Sequence, residues 1–190
     1  MTSADEAPGG LEPVRALLNT WYVPNDTRVP TDLLDALRRD PPEWAARVDL
    51  PRPRTRVDLA RLAEVRDGLR RLVEREEPAE TGLRWLRQAF AAHPTTPAVD
   101  LAGAELSLRL VAADPRDPTS VVMGAVAEAV RTGAWHRLKA CPDCRWVFHD
   151  HSRSGTRVWC GMTATGPNGR ACGSIAKVRT YRQRQAGNPA

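Results

Sequence analysis

No stretch of this 190-residue chain approaches the run of ~20 apolar residues that a membrane-spanning helix needs, so no spanning helix is expected within it. The opening "MTSADEAPGGLEP" is acidic and lacks the basic start and apolar core of a secretory leader. Both observations point to a cytoplasmic protein, in which thiols stay reduced and stable disulfides are not expected. No Gly-rich phosphate loop and no nucleophile elbow occurs. His93 and His136 are isolated, and no nucleophile, base and orienting group can be assembled from the sequence, so an enzyme is not expected. Internal repeats and long low-complexity tracts are also absent.

Lysine is nearly missing. Of 28 basic residues only Lys139 and Lys177 are lysines. The arginine total says little by itself, but its placement does. From Lys139 to the end there are nine Lys/Arg against two acids, Asp143 and Asp150, a net +7. The remaining residues carry 19 basic and 21 acidic side chains, a net −2. All of the positive excess therefore sits in the last fifty or so residues, which also hold all four cysteines. Such asymmetry marks a separate unit suited to polyanions, against the plainer reading of a solvated basic tail.

The rest reads as mostly helical. Residues 1–10 are expected to be disordered. Val14, Leu17, Leu18 and Trp21 fall at helical spacing, and "PTDLLDALRRD" follows with Thr31 as an N-cap. Pro41-Pro42 ends that helix and opens another carrying Trp44 and Val48. The clearest helix spans about Asp58 to Glu77, with Leu59, Leu62, Val65, Leu69, Leu72 and Val73 on one stripe and arginines and glutamates opposite. "TGLRWLRQAFAAH" adds a further helix. The period then changes: Leu106, Leu108 and Leu110 alternate with Ser107 and Arg109, predicting a half-buried strand, with "PAVDLAG" as its hairpin partner and Gly103 near the turn. A long helix begins near Pro118 or Thr119, with Val122, Val126 and Val130 at four-residue spacing, and Gly133 interrupts it before Trp135 and Leu138. The expected architecture is α+β: a mostly helical domain with a short β-hairpin over residues 11–138, a small C-terminal module over 139–186 that ends in a basic helix, and a disordered tail over 187–190.

The module is defined by Cys141-x2-Cys144-x15-Cys160-x11-Cys172. A two-residue gap lets two thiolates face one ion, and a distant pair completes the tetrahedron that zinc accepts. The eleven-residue second gap is unusual, since two would be typical. Lengthening that loop costs only ~0.9 kcal/mol of closure entropy. Structural zinc returns on the order of 10 kcal/mol. The metal wins, and one structural zinc held by Cys141, Cys144, Cys160 and Cys172 is expected. "TATGPNGR" reads as a flexible excursion between the last two ligands. Alternatives remain open: His149 or His151 replacing a cysteine, or a redox dithiol, although "RWVFHDHSRSGTRVW" looks like a hairpin where a thioredoxin-like dithiol would need a βαβ unit.

The segment "CPDCRWVFHDHSRSGTRVWCGM…ACGSIAKVRTYRQR" resembles the C-terminal module of bacterial CGNR zinc-finger proteins. Phe148, Asp150 and Ser152 match its aromatic-Asp-x-Ser segment, Trp159-Cys160 and Met162 the next, and Cys172-Gly173, Ala176-Lys177 and Tyr181-Arg182 the last. The family's Asn-Arg after Cys-Gly is Ser174-Ile175 here. "LLNTW" followed by "TDLLDAL" resembles the family's upstream ABATE domain. The resemblance implies a stress-induced transcription regulator. After Ser174 as an N-cap, "IAKVRTYRQRQ" predicts a helix with Ile175 and Val178 on the zinc hairpin. Arg153, Arg157, Lys177, Arg179, Arg182 and Arg184 are the candidate DNA contacts. An acidic protein partner or a zinc–thiolate redox switch is the alternative use; the oligomeric state is not legible.

Overall fold

The computed structural model describes residues 6–24, 26–103, 105–161 and 171–186. Among them are seven α-helices and three two-stranded antiparallel sheets. Of the start expected to be disordered, residues 6–10 are held in place: Ala7 is buried and its N–H donates to Glu12 at 2.6 Å. Residues 1–5 and 187–190 lie outside the described residues.

Helix α1 (Leu11–Leu18) sinks Val14, Leu17 and Leu18 fully into the core. It stops three residues before the expected Trp21, because Trp21–Tyr22 form β1, paired with β2 (Thr31–Asp32). Thr31 is thus a strand residue, not the predicted cap. The start of α2 (Leu34–Arg39) is served by Asp32, whose carboxylate accepts from the Leu34 N–H at 3.0 Å. The proline doublet behaves as expected: α3 (Pro41–Arg47) opens on Pro41, Asp40 caps it, and Trp44 is buried with its indole N–H donating to the Leu50 carbonyl.

The long helix is α4 (Arg56–Glu74), shifted two residues earlier than predicted because Thr55 and Asp58 form a capping box, and closed by Arg75 in the left-handed region. Its inner stripe carries Leu62, Val65, Leu69 and Val73, but also Arg66 and Arg70, both buried, where arginine was expected only on the outside. Helix α5 (Ala79–Ala92) packs on it so closely that a Cβ at Gly68 would lie 1.9 Å from the Trp85 ring. Then come β3 (Thr95–Ala102) and β4 (Glu105–Ala112), an eight-residue ribbon in register from Thr95↔Ala112 to Ala102↔Glu105. Its alternation is as predicted, but its burial is not: Leu106 and Leu108 are exposed. The next helix, α6 (Pro118–Arg131), meets only the base of the ribbon. It is capped by Asp117, sends Val122, Met123 and Val126 into the core, leaves Val130 exposed, and ends before Gly133 at φ +75°.

The last pair, β5 (Leu138–Ala140) and β6 (Val147–His149), flanks the first two cysteines, and α7 (Cys172–Ala186) follows the last. Two-residue periodicity in β6 divides the molecule. Val147 joins Leu138 in the main aliphatic core, while Phe148 joins a second cluster made of the four cysteines, with Trp146 and Trp159 packed on it. The boundary expected after residue 138 falls inside β5, whose Leu138 belongs to the helical core.

Candidate metal centre

Cys141 leaves β5 and its N–H donates to the Trp146 carbonyl, while the Arg145 N–H donates to the Cys141 carbonyl, closing a tight knuckle that puts Arg145 at φ +61°. Cys144 sits at the far side of that knuckle. Cys160 arrives on the loop after β6. Cys172 is the first residue of α7, and the Gly173 N–H donates to Gly161 at 2.9 Å, tying the helix start to the chain beside Cys160. The four Sγ atoms all lie within 4.8 Å of one another, and those of Cys144 and Cys160 are 3.5 Å apart. A tetrahedral ion with ~2.3 Å bonds to sulfur needs sulfurs ~3.8 Å apart, so the donor set fits zinc.

The electrostatics also call for a cation. Thiol hydrogen bonds from Cys144 and Cys160, aided by their backbone N–H groups, lower the Cys141 pKa. The same sharing raises Cys144 and Cys160, and burial raises them further. A thiolate at Cys141 thus opposes ionisation of Cys144 and Cys160 beside it, and a bound divalent cation is what relieves such repulsion among thiolate ligands. Among the described residues the ligand group contains cysteines only, which removes the histidine alternatives. His149 is instead buried with its ring against His151, and burial holds its pKa below the usual imidazole value.

Residues 145–159 do not form the expected hairpin. β6 pairs backwards with β5, and the chain beyond it is a loop organised by one carboxylate. Asp150 accepts from Lys139 Nζ at 2.6 Å, from the Ser152 N–H and hydroxyl, and from the Arg157 N–H. Burial would raise its pKa, but the Lys139 and Ser152 hydrogen bonds outweigh this and hold it well below the usual carboxylate range. Lys139 also donates to the carbonyls of Gly155 and Arg157. The Arg157 guanidinium lies 4.5 Å over the Phe148 ring and donates to the carbonyls of Trp159 and Cys160. Arg157, expected to contact DNA, is therefore a brace that places Cys160. The resemblance's Phe148, Asp150 and Ser152 acquire a physical reason: they fix the loop that presents the third ligand.

The knuckle is also gripped from the helical side. The Asn19 side chain completes the ladder of β6, donating to the Val147 carbonyl at 2.8 Å and accepting its N–H at 2.7 Å. The Val23 N–H donates to the Cys144 carbonyl, and Arg28 donates to the Asp143 carbonyl and carboxylate. Arg70 lies 4.4 Å over the Trp21 ring and donates to the carbonyls of Leu18, Trp21 and Arg145; Glu74, beside it, receives Arg145 at 2.9 Å. Apart from Leu18 and Trp21, which were read as helix positions, none of these was singled out by spacing. Only the Arg66, Arg70, Glu74 row at four-residue intervals hinted at a polar stripe turned inward.

Residues 137–185 match the family model described as CGNR zinc finger. With the sulfur geometry, this makes the module a four-cysteine zinc finger. No curated protein matches the chain significantly. The finger's helix departs from expectation in two ways. It starts at Cys172, with the Ile175 N–H donating to Ala171, so Ser174 lies inside the first turn and is not the cap. And Val178 is half exposed while Ile175 is only partly buried, and neither is among the side chains packed on the cysteine cluster, which are Trp146 and Trp159. Lys177, Arg179, Arg182 and Arg184 are all exposed, as is Arg153 on the loop. The "TATGPNGR" excursion, residues 163–170, lies outside the described residues, as does Met162.

Proposed function

We propose that this protein is a zinc-dependent transcription regulator in which the finger lays α7 against the DNA backbone, while residues 11–138, an ABATE-like domain, sense a ligand or mediate assembly. One observation carries the reading. Helix α7 begins on a metal ligand, and every residue from Lys177 to Gln185 is exposed, with four cations and not one carboxylate among them. A helix so placed is positioned by the metal and offers phosphate-binding groups without internal neutralisation. The stress-response role rests on the family resemblance. In this reading the protein is not an enzyme: four sulfurs close the zinc shell and leave no position for water.

The test is salt-dependent binding of duplex DNA by the full zinc-loaded chain. Five contacts, from Arg153, Lys177, Arg179, Arg182 and Arg184, give a slope of log K against log salt near roughly −4.5, and replacing Arg182 and Arg184 with alanine reduces its magnitude by about 1.8. Association that is weak and indifferent to salt overturns the proposal. A second reading, docking of α7 on an acidic protein, is favoured by the exposure of Val178 and Tyr181 between the arginines. Pull-downs that recover nucleic acid alone remove it. Burial of all four sulfurs weighs against a redox switch, and retention of zinc under mild peroxide would exclude one.

A further inference from the structure

The β3–β4 ribbon takes no part in the finger, yet it carries the most conspicuous apolar surface of the molecule. The pairs Val99↔Leu108 and Leu101↔Leu106 put four large aliphatic side chains on one face, continued toward the base by Pro97↔Leu110. Those four are between 51% and 78% exposed. The opposite face is mixed, with Thr96, Asp100, Ser107 and Arg109 beside Ala98 and Val111, and the Arg109 guanidinium pairs with Asp100 across the strands at 2.8 Å. The ribbon thus has the alternation of a half-buried sheet, and no partner that would bury it is found among the described residues.

Among the described residues, cover is supplied only at the root. There Ala112 lies so near Gly124 of α6 that a Cβ on the glycine would be 2.6 Å from the Ala112 nitrogen, and the Leu110 N–H donates to Glu128 at 2.9 Å. Beyond that the ribbon projects, and a lone two-stranded ribbon is only marginally stable in water. Side chains at these exposures amount to about 500 Å² of contiguous apolar surface, at the upper end for a monomer.

The chemistry of the face selects its occupant. It holds no charged or polar side chain, so it has nothing to offer the polyanion that α7 fits, nor an acidic protein. A flat aliphatic face is, however, complementary to itself under a twofold axis, which sets like against like. Two copies contribute about 1,000 Å² together, the area at which a specific interface becomes sustainable. Stacked face to face, two ribbons make a small sandwich with both Asp100–Arg109 faces left in water. We propose that the chain forms a homodimer through the Val99, Leu101, Leu106 and Leu108 face of this ribbon.

Sedimentation equilibrium of the full zinc-loaded chain tests this, at roughly 50 µM so as to exceed the micromolar Kd expected at the small end of interface size. The expected result is a species of twice the 20.9 kDa chain mass. L106D is expected to sediment as a monomer with zinc content and helical circular dichroism unchanged, since Leu106 is 78% exposed in one copy. V158D, an exposed valine on the finger loop, is expected to remain dimeric. A monomeric wild-type chain, an L106D chain that stays dimeric with zinc and helix intact, or a monomeric V158D each overturns the assignment.

Discussion

The two hairpins that flank α6 invert the usual relation between regularity and anchorage. β3 and β4 share eight cross-strand pairs in unbroken register, yet most of the ribbon stands in solvent. β5 and β6 share three, yet Leu138, Val147, Phe148 and His149 are all buried. The difference lies in what the side chains meet. The short pair has an aliphatic core on one face, a sulfur cluster on the other, and Asn19 completing its ladder. Backbone pairing alone places neither; packing and ligation place the short one.

Breaking the metal is the largest perturbation of that contrast. C172S, or chelation of the wild type, is expected to remove stabilisation on the order of 10 kcal/mol from the finger. Amide exchange should then become fast across β6 and α7, while β3 and β4 stay as they were. D150N comes next. It strands a mostly buried Lys139 and loosens the loop before Cys160, at a cost of about 3 kcal/mol, read from denaturant midpoints of the zinc-loaded chain. An unchanged midpoint would mean the loop is held by Arg157 and the metal alone.

The smallest effect belongs to the exposed ribbon. The Arg131 hydrogen bond, with the Leu110 N–H, draws the Glu128 pKa down to about 2. Because the folded value is depressed, the contribution is complete above the ordinary value of about 4.5 and fades as pH falls toward 2. E128Q should therefore speed Leu110 amide exchange, relative to Val122, at neutral pH, and the gap between variant and wild type should narrow below pH 4.5. A gap that does not change with pH would show that Glu128 acts through shape and not charge.

Much of this contrast was legible in the sequence, though unevenly. The helices were readable where an apolar stripe met a starting proline, as with Pro41 and Pro118. The metal ligands were readable because thiolate spacing is set by coordination, which is local. The ribbon's pairing was readable and its burial was not, since alternation says that one face is apolar, not that anything covers it. Thr31 misled because a hydroxyl can cap a helix or sit in a bridge, and only the pairing with Tyr22 decides which. Arg157 misled because charge shows in a sequence, whereas the carbonyls of Trp159 and Cys160 that claim it emerge only when the chain folds back.

The amide of Asn19 extends this logic across the molecule. By standing where a neighbouring strand would stand, it makes the end of α1 answerable to the state of the sulfurs, and the sulfurs answerable to α1. Thermodynamic reciprocity then requires that a ligand of the helical half whose affinity rises when the ion is bound must raise the affinity of the thiolates for that ion by the same factor.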